Sequence, residues 1–307
     1  MSALTTSANG VYVIAVTPFT PEGDIDFESI DRMVEFYVER GATGLTLLGM
    51  MGEAPKLTLS ESCAVARRVT ARVDGRMPVV VGVSAPGFAQ MAELTRAVMA
   101  DGAGGVMVAP PASLRTDDQI LGYYRQVAEF TDGTPLVVQD FPLATGVQMS
   151  VPVLTRIFNE IDSAVCLKHE DWPGLEKISA LREAGRLKQR ISILCGNGGI
   201  FLPEEMGRGA DGAMTGFAYP EMLSDVTTLW RKGEYDRARD LFDAYLPMAR
   251  VEQQPGMGLA VRKYVLARRG AIRHDAQRRP GVKLSPAAVA EIETLIARQE
   301  KRLKELH

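Results

Sequence analysis

Three short segments of this chain echo one another. Arg40-Gly-Ala-Thr-Gly-Leu, Asp101-Gly-Ala-Gly-Gly-Val and Arg208-Gly-Ala-Asp-Gly-Ala each join the end of a helical pattern to an apolar run. Such an echo marks one βα unit used repeatedly. Strand-like runs fall at 11–17, 44–49, 77–84, 105–110, 135–141, 165–170, 191–195 and 212–217. They are close to continuously apolar, as in a parallel sheet covered on both faces. Amphipathic stretches lie between them, near 60–73, 88–100, 117–130, 151–160, 174–184 and 200–208. An earlier one is capped by Asp26, carries Phe27, Ile30, Met33, Val34, Tyr37 and Val38 at helical spacing, and ends at Gly41. Eight strands alternating with helices match an α/β fold of the (β/α)8 TIM-barrel class. The alternative is a doubly wound open sheet, which usually opens with a Gly-rich phosphate turn. Val16-Thr-Pro-Phe-Thr-Pro21 holds no such turn.

Beyond Pro220 the strand signal stops. Helical patterns near 221–231, 234–249, 256–269 and 285–305 predict a C-terminal helical extension. The expected division is a barrel with the active site over 1–219 and a helical region over 220–307, covering the barrel's flank or an interface. A length of 307 residues with 46% hydrophobic and 24% charged residues suits that size. The formal net charge of −3 gives no electrostatic case for nucleic acid or an anionic membrane. Cys63, Cys166 and Cys195 are far apart and odd in number, so they read as reduced core thiols. His169, His274 and His307 do not cluster with other ligands, and no metal site is expected. The chain shows neither a signal peptide nor an apolar run of membrane-spanning length, which makes the cytoplasm the default.

The chemistry is expected where the barrel's strands end. Lys168 closes the apolar run Val165-Cys166-Leu167. Alternation along a strand puts Lys168 and Glu170 on one face and His169 on the other. An amine held on an inner face among apolar neighbours is driven toward its neutral form, and neutral amines attack carbonyls to form Schiff bases. The bland alternative is a strand-end lysine that reaches solvent or pairs with Glu170. The remaining strand ends include Gly49-Met50-Met51-Gly52-Glu53, Gln139-Asp140-Phe141, Gly196-Asn197-Gly198 and Thr215-Gly216. Backbone N–H groups of the first loop suit a carboxylate. The glycine-rich third segment has no nearby Lys or Arg for a phosphate, so Asn197 is expected to meet hydroxyls instead. Gln139 shares a side with Phe141 and is placed to position substrate or water. His169 is expected to be packed and hydrogen-bonded away from the site.

The order Val16-Thr-Pro-Phe19, Gly49-x-x-Gly-Glu53, Pro110-Pro111, Gln139-Asp-x-Pro142, Thr145-Gly146 and Leu167-Lys168 resembles the dihydrodipicolinate synthase / N-acetylneuraminate lyase family. The resemblance runs almost end to end. It implies a barrel in which Lys168 forms a Schiff base with a 2-oxo acid, needs no cofactor, and belongs to a homo-oligomer (tetramer or dimer). Four departures argue against a true synthase. Met50-Met51 replaces the family's paired threonines, and Gln139 replaces a tyrosine acid/base. Ala144 stands where an arginine would anchor a second substrate's carboxylate, and Pro111-Ala112 lacks the expected aromatic residue. An amide such as Gln139 does not shuttle protons near neutral pH.

One subgroup tolerates such losses. Gln139-Asp140-x-Pro142, Lys168-x-Glu170, Pro173-Gly174, Gly212-Ala-Met-Thr-Gly216 and Tyr245-Leu-Pro-Met248 look like L-2-keto-3-deoxyarabonate dehydratase, although one extra residue separates Glu170 from Pro173. That resemblance assigns the missing acid/base role to Glu170. The expected catalytic residues are therefore Lys168, Glu170 and Gln139. Gly49, Met50, Met51, Gly196, Asn197, Met214 and Thr215 are expected to bind substrate. The expected reaction is dehydration of a 2-keto-3-deoxy sugar acid. A pyruvate-dependent aldolase, a 4-hydroxy-tetrahydrodipicolinate synthase and a ligand-binding paralogue without catalysis remain as alternatives.

Overall fold

The structure, a computed structural model, describes residues 2–171 and 174–306. Met1, Trp172, Pro173 and His307 lie outside the described residues, and with them the expectations attached to Pro173, to the extra residue before it and to His307. Eight parallel strands close into a barrel in chain order. They are β1 (Gly10–Ile14), β2 (Gly44–Leu47), β3 (Val79–Gly82), β4 (Gly105–Val108), β5 (Leu136–Asp140), β6 (Ala164–His169), β7 (Ser192–Cys195) and β8 (Gly212–Thr215). Helices between them are α1 (Phe27–Glu39), α2 (Leu59–Val73), α3 (Phe88–Ala100), α4 (Asp117–Phe130), a single turn α5 (Pro142–Thr145), α6 (Val151–Glu160), α7 (Leu175–Arg182) and α8 (Leu202–Gly207). This is the TIM barrel.

The echoing turns share one hydrogen-bond pattern. The amides of Ala42, Ala103 and Ala210 each donate, at 3.0 Å, to the carbonyl five residues back, that of Tyr37, Val98 and Glu205. The glycine before each alanine has φ of 79°, 96° or 97°. That is the left-handed helix stop that only glycine adopts without strain. The glycine at the fifth place of each segment, Gly44, Gly105 or Gly212, opens the next strand, where neighbours crowd. A β-carbon on Gly212 would lie 1.9 Å from the Gly10 carbonyl oxygen.

The strands read as unbroken apolar runs because their two faces enter two different cores. Outward residues such as Val138, Leu167 and Ile193 pack under the helices. Inward residues, including Tyr12, Val80, Met107, Val137, Cys166, Leu194 and Met214, fill the barrel itself. Full burial of such a side chain contributes about 2 kcal/mol.

After β8 come α9 (Pro220–Arg231), α10 (Tyr235–Glu252), α11 (Gly258–Arg268) and α12 (Pro286–Glu305). These helices do more than cover a flank. Lys263 of α11 is buried and reaches the loop after β2, its Nζ standing 2.5 Å from Glu53 Oε1 and donating to the Thr17 carbonyl at 2.8 Å. Burial pushes its ammonium down to about 8, against the pull of Glu53.

Candidate active site

Alternation fixes the centre of the site. Cys166 points into the barrel, so Lys168, two residues on, does too, at the open end of β6. The β5–β6 register sets Gln139 directly beside Lys168. The Glu170 amide donates to the Asp140 carbonyl at 2.8 Å, which carries the pairing one residue past the strand. Glu170 therefore returns to the face of Lys168. Lys168 and Glu170 are each 5% exposed, and Nζ stands 2.8 Å from Oε1.

The carboxylate of Glu170 is held from three sides. Gln139 Nε2 donates to Oε1 at 2.8 Å, the same oxygen that Lys168 meets. The Asn197 amide approaches Oε2 at 3.4 Å, while Asn197 Nδ2 donates to the Glu170 carbonyl at 3.1 Å. A buried carboxylate with a lysine and amide donors is satisfied, and loss of the lysine would strand it. The pair can also exchange a proton without solvent.

A cavity of about 450 Å³ opens above this cluster. Gln139, Lys168, Glu170, Asn197 and Thr215 line it, with Met50 and Met51 on one wall. The two methionines begin a single 3-10 turn closed by the Gly52 amide on the Gly49 carbonyl at 2.9 Å. The first amides of such a turn have no partner within it. Thr215 Oγ1 accepts from the Gly198 amide at 2.7 Å and fixes the loop after β7.

Three expected substrate contacts lie elsewhere. Met214 faces into the barrel below the mouth and packs with Tyr12, Cys166 and Leu194, one layer beneath the cavity that Thr215 and Gly216 line. Gly49 and Gly196 stand behind the wall rather than on it. Gly49 packs towards Ile14, and Gly196 backs directly onto Glu170. Glu53 is likewise turned away, into the pair with Lys263.

His169 is fully buried on the outer face, as alternation predicts, with Nε2 3.0 Å from the Gly174 carbonyl oxygen. Next to it Lys177 pairs with Asp140 and Asp171, each at 2.7 Å. Behind β7, burial pushes the Glu205 carboxyl up to about 7, while nearby His169 and a hydrogen bond with Cys195 pull it down. Among the described residues no group of three His, Cys, Asp or Glu side chains is placed to hold a metal, and no helix is long and apolar enough to cross a membrane.

The C-terminal helices supply a wall that sequence reasoning missed. Glu252, Gln253 and Arg262 all line the cavity. The available signal was Arg262-Lys263 in the middle of an apolar run, since neighbouring buried cations require partners.

Comparison with known proteins bears on this geometry. The profile of the Dihydrodipicolinate synthetase family matches residues 7–299. The L-2-keto-3-deoxyarabonate dehydratase of Azospirillum brasilense is 31% identical over 297 residues, covering 95% of this chain and 94% of that enzyme. The 4-hydroxy-tetrahydrodipicolinate synthase of Sorangium cellulosum is 31% identical over 234 residues, 75% of this chain and 76% of that one. The crystal structure of a dihydrodipicolinate synthase from Rhodopseudomonas palustris superposes with a TM-score of 0.95 at 53% identity, covering 97% of this chain and 100% of that one.

Proposed function

The chain belongs to the dihydrodipicolinate synthetase family of lyases, and from that premise we propose that it dehydrates a 2-keto-3-deoxy sugar acid through a Schiff base on Lys168. The observation that carries this reading is the placement of Glu170, 2.8 Å from Lys168 Nζ, in a site whose strand-5 position is an amide rather than a phenol.

The steps follow from those two side chains. Lys168 passes a proton to Glu170 and attacks C2 of the 2-oxo acid, and the carbonyl oxygen leaves as water. The loop that begins at Met50 and Met51 holds the carboxylate on its amides. The cationic iminium withdraws electrons from C3, and Glu170 as carboxylate removes a C3 proton to give an enamine. The enamine pair then expels the C4 hydroxyl, which takes its proton from Glu170 and departs as a second water. Hydrolysis of the conjugated iminium consumes one water and frees Lys168 with the unsaturated 2-oxo acid. Gln139 orients Glu170 throughout and carries no proton. The same reading includes a cytoplasmic homo-oligomer, which sedimentation of the purified protein tests separately.

A second reading is favoured by the name of the Rhodopseudomonas palustris structure, a dihydrodipicolinate synthase at 53% identity. It requires pyruvate and a second substrate bearing its own carboxylate. Ala144 offers that carboxylate no cation, and the two basic residues lining the cavity among the described residues, Lys168 and Arg262, are each paired with a glutamate. Borohydride reduction in the presence of a 2-keto-3-deoxypentonate, followed by peptide mass spectrometry, separates the readings. A dehydrated five-carbon adduct on Lys168, absent in Lys168→Ala, is the expected result. A three-carbon adduct would move the assignment to aldol chemistry. No adduct with the pentonate or with pyruvate would leave a ligand-binding paralogue.

A further inference from the structure

We infer that Gln253 and Arg262 form a distal subsite that takes the hydroxyl-bearing end of the substrate. The inference rests on the reading above, which places the carboxylate and C2 at the loop after β2 and Lys168 but leaves the far end without partners.

Gln253 directly follows α10 and Arg262 lies within α11, and both line the same cavity as Lys168 and Glu170. Both reach it across glycines. A β-carbon on Gly216, at the end of β8, would lie 2.1 Å from Arg262 Nη1. One on Gly198, after β7, would lie 2.2 Å from Gln253 Nε2. Bare backbone at these two strand ends is what admits the side chains to the mouth.

Each brings a donor without an acceptor. Arg262 is 2% exposed, gives Nε to Glu252 and Nη2 to the Gly216 carbonyl, and has no hydrogen-bond partner at Nη1 among the described residues. Gln253 Nε2 is also buried without a partner among those residues. A buried donor left unpaired is costly, and a ligand oxygen removes the cost. The end torsion of a glutamine is broad, so its carboxamide can turn to an arriving group.

Charge selects the ligand. Glu252 is fully buried, neutralises Arg262 through Nε, and accepts the Ala218 amide at 3.0 Å on its other oxygen. A second carboxylate at this wall would face that glutamate. A neutral hydroxyl accepts from Nη1 or Nε2 and meets no opposing charge. The wall therefore fits a polyol tail.

The test measures half-saturation of borohydride trapping on Lys168 for pyruvate and for a 2-keto-3-deoxypentonate, in wild type and variants. Gln253→Leu is the first variant, and Arg262→Met combined with Glu252→Gln the second, since the double change leaves no stranded charge. The expected result is a rise of about tenfold for the pentonate, as for loss of one hydrogen bond to a buried donor, with pyruvate within about twofold. Should the double variant fail to fold, Gln253→Leu decides alone. Equal rises for both compounds, or no rise for either, would overturn the subsite. Wild type trapping neither compound would overturn the Schiff-base reading itself, an outcome visible before any variant is made.

Discussion

Glu170 occupies the space that any side chain on Gly196 would need. An added β-carbon would stand 2.0 Å from Glu170 Cγ and 2.4 Å from Oε2. Gly196 has a negative φ of −102°, and it is Glu170 that leaves no room for a β-carbon there. Gly196→Ala should displace the carboxylate while Lys168 keeps its strand position. We expect kcat to fall about a hundredfold, as for a misplacement near 1 Å, with pyruvate still trapped on Lys168. Steady-state turnover beside borohydride trapping checks both halves, and unchanged kcat would remove Glu170 from the mechanism.

Gln139 tests whether an amide can serve by orientation alone. Its Nε2 and Lys168 Nζ meet the same oxygen of Glu170, each at 2.8 Å. Gln139→Leu keeps the volume and removes the donor. The expected change is a drop of about tenfold in kcat with KM for the pentonate nearly constant, because the lost contact is to the catalytic carboxylate. A KM effect alone would make Gln139 a substrate contact instead.

Much of this was readable before the structure. The eight strands and their helices announce themselves because both faces of each strand are buried, and because the glycine stops at 41, 102 and 209 recur. Lys168, Glu170 and His169 were sorted correctly between faces, since a two-residue period needs no tertiary information. Met214 was misjudged, because near a strand end the sequence does not say which residue is last inside the barrel. The short turns at 50–52, 142–145 and 197–199 were not foreseen either, being too brief to show periodicity. That Arg262 and Glu252 belong to the site was not legible for a different reason. Their place in the cavity depends on how α10 and α11 fold back across the mouth, and that docking is set by contacts such as Lys263 with Glu53, 210 positions apart in the chain.

That contact carries its own prediction. Glu53 is 2% exposed and takes Lys263 on one oxygen, with Lys56 and the Arg278 amide on the other. Lys263→Met leaves a buried carboxylate with weaker partners, and removing one member of such a pair costs about 3–5 kcal/mol. Because Lys56 remains, the loss should fall near the lower figure. Adding Glu53→Gln should recover part of it. Urea unfolding of wild type and the two variants reads both values, and a double variant weaker than the single would contradict the account.

Glu205 predicts a pH dependence of stability. Burial raises its carboxyl to about 7 from an ordinary 4.5, opposed by His169 and Cys195 and reinforced by Glu204 and Glu170. The folded state thus holds a proton between these values that the unfolded chain has released. Stability is therefore greatest below about pH 4.5 as far as this group is concerned, and falls as pH rises through 7. The full span is worth at most about 3 kcal/mol. Glu205→Gln supplies a neutral side chain of the same shape at every pH, so it should abolish this slope. Urea midpoints for both proteins at about pH 5 and about pH 8 give the comparison. Wild type should lose stability between the two relative to Glu205→Gln, and parallel behaviour would show that Glu205 is ionised in the folded protein throughout.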